Sequence, residues 1–427
     1  MTEGLTPYAR LSVKTDRRLV RSARRSTRYV LIEIAAPPAG SAPVRPRVNV
    51  AFVLDRSGSM GGPKIDLARK AVREGIERLA SDDRFAVVVY DDRIDVVAAS
   101  RTATSDAKHA AIRALESIDA RGQTNLGEGW LRGAEQVATE LDPAAVNRVL
   151  LLTDGLANQG MTDPAELIRH AAELRGRGVS TSTFGVGGDF DERLLGGMAD
   201  SGGGAFRLVG RAEQIPELIG SEVGELLEIT AKAVELRIAG PDGIRIEPLS
   251  TFAFDRTMRD GILHVGDMVA DQVVRLVVAL GFPIGQPGEE VAVDFRLRDQ
   301  TERLSGAATL TWSFADDTAN DGQSRTGEVD RVVARTYADR ALRDAVDLNR
   351  RGEWDAARTM LRSVARRIRS YAGDDPILLG IVAELERESE AWARPRPEED
   401  RKVRYAVSAY ALRSRSQLGA AERRGDF

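Results

Sequence analysis

Apolar and polar positions follow three rhythms along this chain. Between residues 48 and 228, short apolar runs alternate with stretches in which apolar residues recur every three to four positions. The runs at 48–54, 84–90, 94–98, 148–153, 180–186 and 205–209 predict strands. The periodic stretches at 63–80, 105–118, 126–141, 164–177, 192–199 and 212–227 predict helices. Such alternation argues for an α/β fold, a doubly wound and mostly parallel sheet with helices on both faces. Only Asp91-Asp92-Arg93 separates the second strand from the third, so that pair has to be an antiparallel hairpin.

From residue 231 the rhythm changes to two. Val234, Leu236 and Ile238 alternate with Glu235 and Arg237. Val291, Val293, Phe295 and Leu297 alternate with Ala292, Asp294, Arg296 and Arg298, and Leu310, Trp312 and Phe314 with Thr309, Thr311 and Ser313. Val274, Leu276, Val278 and Leu280 add another strand. Strands with one polar face predict an all-β sandwich over residues 229–315. The β-rich segments 8–13 and 29–34 precede a Pro/Gly-rich linker at 36–43. Residues 1–44 are therefore expected to supply strands to the sandwich, with 45–228 inserted as a separate domain.

Residues 316–326 are polar and rich in Asp and Gly and read as a linker. Helical spacing then returns. Trp354, Ala357, Leu361, Val364 and Ile368 make one apolar face, and Ile377, Ile381 and Leu385 another behind Asp375-Pro376 as cap and first turn. A C-terminal helical domain is expected over 327–419, broken at Arg394-Pro395-Arg396-Pro397. Its last helix is expected at 403–418, before a mobile charged tail at 420–427. Residues 345–361 resemble a single tetratricopeptide-type hairpin, which for one copy amounts to a packed helix pair.

The chemistry gathers at strand ends. The first apolar run of the α/β region ends in Asp55-Arg56-Ser57-Gly58-Ser59-Met60. Gly61-Gly62-Pro63 then turns into a helix, with Pro63 at a favoured first position. Asp55, Ser57 and Ser59 thus lie on a strand-to-helix loop, where open α/β sheets bind ligands. A carboxylate and two hydroxyls at alternate positions suit a hard, oxygen-seeking cation such as Mg²⁺. Taken alone, the same residues also suit a helix N-cap. Two further loops tip the balance: Gly122-Gln123-Thr124-Asn125 precedes a helical stretch, and the run 149–153 ends in Asp154-Gly155.

D-x-S-x-S, then a threonine loop, then a strand ending in T-D-G resembles the metal-ion-dependent adhesion site of von Willebrand factor A domains. The resemblance covers roughly residues 45–228. It implies a Rossmann-like sheet with an antiparallel edge. It also implies Mg²⁺ or Mn²⁺ held by Asp55, Ser57, Ser59, Thr124 and Asp154, with the two acids acting largely through water. At the level of architecture, an A domain set into a β domain is similar to COPII coat subunits and to bacterial proteins with a chloride-channel-regulator-like arrangement.

Composition narrows the rest. Net charge is −4, and 30% of the 427 residues are charged, so no global drive toward nucleic acid or anionic membrane exists. Lys14, Arg17, Arg18, Arg21, Arg24, Arg25 and Arg28 face a single acid, Asp16. No aromatic residues interleave with them, so they read as a solvated hairpin and not a nucleic-acid surface. Cysteine is absent, which removes disulfides, thiolate metal sites and cysteine nucleophiles. His109, His170 and His264 are scattered and read as surface or packing residues. Gly185-Val186-Gly187-Gly188 lacks both the spacing and the lysine of a phosphate loop. The longest apolar run, 273–282, is too short to span a bilayer. Met1-Thr2-Glu3-Gly4 has no leader pattern, so a cytoplasmic location is expected.

Three functional readings follow. The first is a metal-dependent binding or scaffold protein, without turnover, whose divalent cation holds an acidic residue of a protein partner. The second is a metal-assisted hydrolase, for which Asp91, Asp92 and Glu128 are the available acids. A third possibility is an accessory subunit of a chelatase or AAA-type ATPase complex, with nucleotide bound by a separate chain.

Overall fold

The computed structural model describes residues 10–40, 45–257 and 259–424. Among these the strands form three sheets. The chain opens with β1 (Leu11–Thr15), β2 (Leu19–Arg21) and β3 (Ser26–Ala35). It then enters a first compact unit, residues 39–232. Here the order is β4 (Val48–Asp55), α1 (Pro63–Arg78), β5 (Arg84–Tyr90), β6 (Ile94–Thr102), α2 (Ser105–Glu116) and α3 (Leu126–Ala138). β7 (Val146–Thr153), α4 (Pro164–Gly176), β8 (Ser180–Val186), α5 (Glu192–Gly202), β9 (Gly203–Val209) and α6 (Ile215–Leu227) follow.

The sheet of this unit has the order β6-β5-β4-β7-β8-β9. β6 runs antiparallel to β5 and the other pairs are parallel, as the three-residue turn requires. Every residue of β4 and β7 is buried, which is why both read as unbroken apolar runs. From β4 the chain builds outward to β5 and β6, then returns to the other side for β7, β8 and β9. The order therefore reverses between β4 and β7, the crevice where such sheets bind ligands. Asp55 ends one of these strands and Asp154 follows the other.

The remaining described residues form a second unit, 10–38 and 233–424. It contains β10 (Ile229–Ala239, which begins in the first unit), β11 (Arg245–Pro248), β12 (Ala253–Arg256), β13 (Asp260–Val269), β14 (Val273–Phe282), β15 (Glu290–Arg298) and β16 (Ser305–Ala315). The helices are α7 (Asp317–Gly322), α8 (Gly327–Arg350), α9 (Trp354–Ala372), α10 (Pro376–Trp392) and α11 (Glu398–Ala411). One sheet runs β1-β3-β14-β11 and the other β12-β13-β10-β15-β16-β2. Trp312 of the second packs against Phe282 of the first with ring centroids 5.1 Å apart and planes tilted by 55°, and its indole N–H donates to Thr15 Oγ1 and the Arg17 carbonyl. α8 packs Val329 and Val333 onto Leu31, Val277 and Ala279 of the four-stranded sheet, so strands and helices share a core.

Several sequence expectations change here. Residues 316–326 are more than a linker: they contain α7, capped by Asp316 on the Ala319 N–H. Asp317 pairs with Arg21 and Arg24, Asp321 with Arg21, and Asn320 accepts from Arg28. Lys14 pairs with Glu328. Three of the seven basic residues of the N-terminal run, Lys14, Arg21 and Arg24, thus meet acids on α7 and α8, which a linear reading could not reveal. Trp354 and Ile377 are exposed, and the apolar faces of α9 and α10 rest on Ala357, Leu361, Ile368, Ile381 and Leu385. The last helix starts at Glu398 and ends at Ala411. The chain then folds back: Val273 N–H donates to the Glu422 carbonyl and Arg424 N–H to that of Asp271. The described part of the tail is therefore tied down by backbone hydrogen bonds. Residues 8–9, 41–43 and 425–427 of the expected strand, linker and tail lie outside the described residues.

β3 is bonded to β1 on one side and along its whole length to β14 on the other. Deleting residues 1–35 would leave β14 without that neighbour and expose apolar surface. The expected outcome is aggregation and loss of a cooperative melt, read by light scattering and calorimetry. A soluble variant with one sharp transition would contradict this packing.

Candidate metal centre

Three loops meet at the switch point. The first leaves β4 at Asp55, makes a 3-10 turn over Gly58–Met60, and enters α1 through Gly62, whose φ of 73° suits glycine. Asp55 is fully buried. One of its oxygens accepts from the Ser57 N–H at 2.8 Å and the other from Thr153 Oγ1 at 2.6 Å. The second loop carries Thr124. It is fastened by Gly58 N–H to the Gly122 carbonyl, by Arg121 N–H to the Arg56 carbonyl, and by Asn125 N–H to the Asp91 carbonyl. Glycine is favoured at position 122, because its φ is 71° and a Cβ there would lie 3.1 Å from Asp91 Cβ and would push the Asp92 carboxylate aside. The third loop carries Asp154 and exchanges hydrogen bonds between Asn158 and the Thr124 backbone.

The side chains converge. Ser57 Oγ and Ser59 Oγ are 3.1 Å apart, and Ser59 Oγ donates to Asp154 Oδ1 at 2.6 Å. A Cβ on Gly155 would come within 3.4 Å of Thr124 Oγ1 and 3.9 Å of Ser59 Oγ, so both hydroxyls flank that glycine. The first unit therefore brings Asp55, Ser57, Ser59, Thr124 and Asp154 to one place. The donor set fits a hard divalent cation. Two oxygens on adjacent corners of a Mg²⁺ octahedron with about 2.1 Å bonds lie about 3.0 Å apart, close to the serine pair. Among the described residues no group of three or more histidine, aspartate or glutamate side chains is arranged to hold a metal ion.

Burial dominates the electrostatics of the first carboxylate. Burial is the main cause that pushes the Asp55 carboxyl up to about 6, with the Asp154 charge adding, against the Thr153 and Ser57 hydrogen bonds that lower it. Beneath it Tyr90 is fully buried and its phenol is raised, chiefly by burial and then by Asp55.

Sequence reading missed the side chains around the oxygens. Asp91 is buried and accepts from Arg56 Nε at 3.0 Å and Arg121 Nε at 2.7 Å, while Arg56 also pairs with Asp95. Burial alone would raise the Asp91 carboxyl, but Arg121, the Arg93 N–H and Arg56 together hold it below its ordinary value. Lys64 was missed as well: its Nζ sits 2.5 Å from Asp154 Oδ2. The signal was present as a lysine at the second position of α1, but its partner lies 90 residues away. Glu128 Oε2 accepts from Asn125. His109, His170 and His264 sit on α2, α4 and β13, and none of them lies on these three loops. Gly187 turns the end of β8 with its N–H on the Val209 carbonyl, a strand-end turn as read from the sequence.

Residues 49–220 match the family model of the von Willebrand factor type A domain. The uncharacterized protein YfbK of Escherichia coli strain K12 is 30% identical over 197 residues, 45% of this chain and 34% of that protein. Inter-alpha-trypsin inhibitor heavy chain H2 of Homo sapiens is 29% identical over 182 residues, 40% of this chain and 19% of that protein. The chain thus matches about a third and a fifth of these relatives' lengths. A solved von Willebrand factor type A structure from Catenulispora acidiphila superposes with a TM-score of 0.68 at 19% identity, covering 90% of this chain and 96% of that one. That likeness shows a shared fold. No helix among the described residues is long and apolar enough to cross a membrane.

A raised Asp55 predicts a pH effect on the metal-free protein. The folded state binds this proton more tightly than the unfolded state, so the penalty is absent below about pH 4 and complete above about pH 6. Between pH 4 and pH 7.5 the chelator-treated wild type should lose on the order of 2–3 kcal/mol relative to Asp55→Asn, whatever the offset from the hydrogen bond that the amide cannot accept. Thermal melts at both values check this; an offset between the two proteins that does not change with pH would contradict it.

Proposed function

Because residues 49–220 are a von Willebrand factor type A domain, we propose that the protein is a metal-dependent binding or scaffold protein that captures an acidic residue of a protein partner. Asp55, Ser57, Ser59, Thr124 and Asp154 would hold Mg²⁺ or Mn²⁺. When bound there, the ion supplies a positive charge and an exchangeable coordination position suited to a carboxylate. The observation that carries the reading is the meeting of five oxygen-bearing side chains from three loops, with the serine hydroxyls 3.1 Å apart.

The chain's own residues divide the work. Asp55 is held by Thr153 and the Ser57 N–H, which fixes the first loop at the end of β4. Gly58 and Ser59 are exposed, so that loop faces outward. Thr124 is a neutral oxygen donor on a loop fastened at both sides, and its neutrality leaves positive charge for a partner to answer. Binding without turnover is favoured by the state of the nearby acids. Asp91 is committed to Arg56 and Arg121 and held in its weakly basic form, a poor general base. Glu128 is engaged with Asn125.

A ligand that binds only the folded state adds about 2.7 kcal/mol at 100 times its dissociation constant. Mg²⁺ or Mn²⁺ should therefore raise the melting temperature of the wild type and do so much less in Asp55→Ala. Equal shifts in both would place the ion elsewhere. Capture of partners from a lysate, read by mass spectrometry, should vanish in chelator and return with Mg²⁺. Thr124→Ala should weaken capture with the melt in chelator unchanged. Phosphatase, esterase and peptidase assays on the same samples should be silent. Mg²⁺-dependent turnover lost in Asp55→Ala or Asp154→Ala would replace the binding reading by the hydrolase.

A further inference from the structure

The loops that gather the oxygen donors also carry a cation of their own. Lys64 is the second residue of α1, directly after Pro63, and its side chain reaches back over the loop that bears the two serines. Its ammonium donates to Asp154 Oδ2 at 2.5 Å and to the Ser59 carbonyl at 3.2 Å. Ser59 Oγ donates to the other oxygen of Asp154 at 2.6 Å. Both oxygens of this buried carboxylate are therefore engaged by one loop-helix segment. Asp154 has no exposed side-chain surface, whereas Lys64 keeps 31% of its own.

We propose that Lys64 is a tethered competitor for the divalent cation: it neutralises Asp154 in the metal-free protein and has to withdraw before that carboxylate can serve an ion. The inference rests on the metal reading above and deepens it by naming the residue that sets the affinity. An ammonium at hydrogen-bond distance from a ligand oxygen occupies the space and the charge a divalent ion needs, and two cations on one carboxylate repel. Lysine suits the role, being a compact charge on a flexible stem that can return to water. Arg56 and Arg121 cannot do the same, because both are engaged with Asp91. Two consequences follow. Asp154 is never a buried, unpaired charge, so the three loops stay assembled without metal. The affinity for metal is lower than the oxygens alone would give, and by reciprocity metal loosens the Lys64–Asp154 pair.

A purely supporting role for Lys64 predicts the opposite sign, since removing a support weakens the site. The test is to titrate wild type, Lys64→Met, Lys64→Gln and Lys64→Arg with Mg²⁺ by calorimetry and with Mn²⁺ by electron paramagnetic resonance. Melts are run in chelator and at saturating metal. Lys64→Met and Lys64→Gln should bind about tenfold more tightly than wild type, and Lys64→Arg close to wild type. Both neutral variants should melt below wild type in chelator and lose that deficit with metal. Unchanged or weaker metal binding in the neutral variants overturns the proposal. Binding of neither ion by any of the four proteins overturns the metal reading itself and the inference with it; tight binding by the neutral variants alone supports both.

Discussion

A carboxylate buried at the end of an apolar strand is the constraint on which the rest of this unit depends. Asp55 sits where β4 gives way to its loop, with no exposure to water. Left alone, a buried charge of this kind is unfavourable, and its raised proton affinity records that strain. The surrounding sequence answers it with donors: the Ser57 N–H from the same loop and the Thr153 hydroxyl from the neighbouring strand. Those bonds join the ends of β4 and β7 at the point where the sheet order reverses. Every other candidate ligand is placed relative to that junction.

Charge also holds the second loop. Asp91, at the β5–β6 turn, draws in Arg56 from the first loop and Arg121 from the second. Three segments distant in sequence are thereby tied into one rim around the hydroxyls. Breaking one partner of such a buried pair leaves an uncompensated charge, so the rim resists rearrangement. Rigidity of the rim and mobility of Lys64 are complementary: the loops keep their places while one flexible side chain moves.

Legibility in the sequence followed how local each cause was. β4 and β7 are buried on both faces and stood out as apolar runs. β13 passed unnoticed because Gly261 and Gly266 interrupt the alternation that Leu263 and Val265 carry. α7 passed unnoticed because its six residues contain one alanine and no larger apolar side chain; a cap and ion pairs to arginines nearly 300 residues away hold it. The candidate ligands were legible because their chemistry lies within short motifs at strand ends. Arg56, Asp91 and Lys64 were not, because their roles exist only once separated loops meet.

We propose that the loops after β4, before α3 and after β7 form one divalent-cation site. A crystal structure of the protein grown with Mn²⁺, with anomalous diffraction recorded at a wavelength sensitive to manganese, tests it most directly. One strong anomalous peak is expected, bonded to the Ser57 and Ser59 hydroxyl oxygens and enclosed by Asp55, Thr124 and Asp154, with Lys64 turned away from Asp154. A fully ordered site with no anomalous signal there, or a peak elsewhere with Lys64 still paired to Asp154, would contradict it.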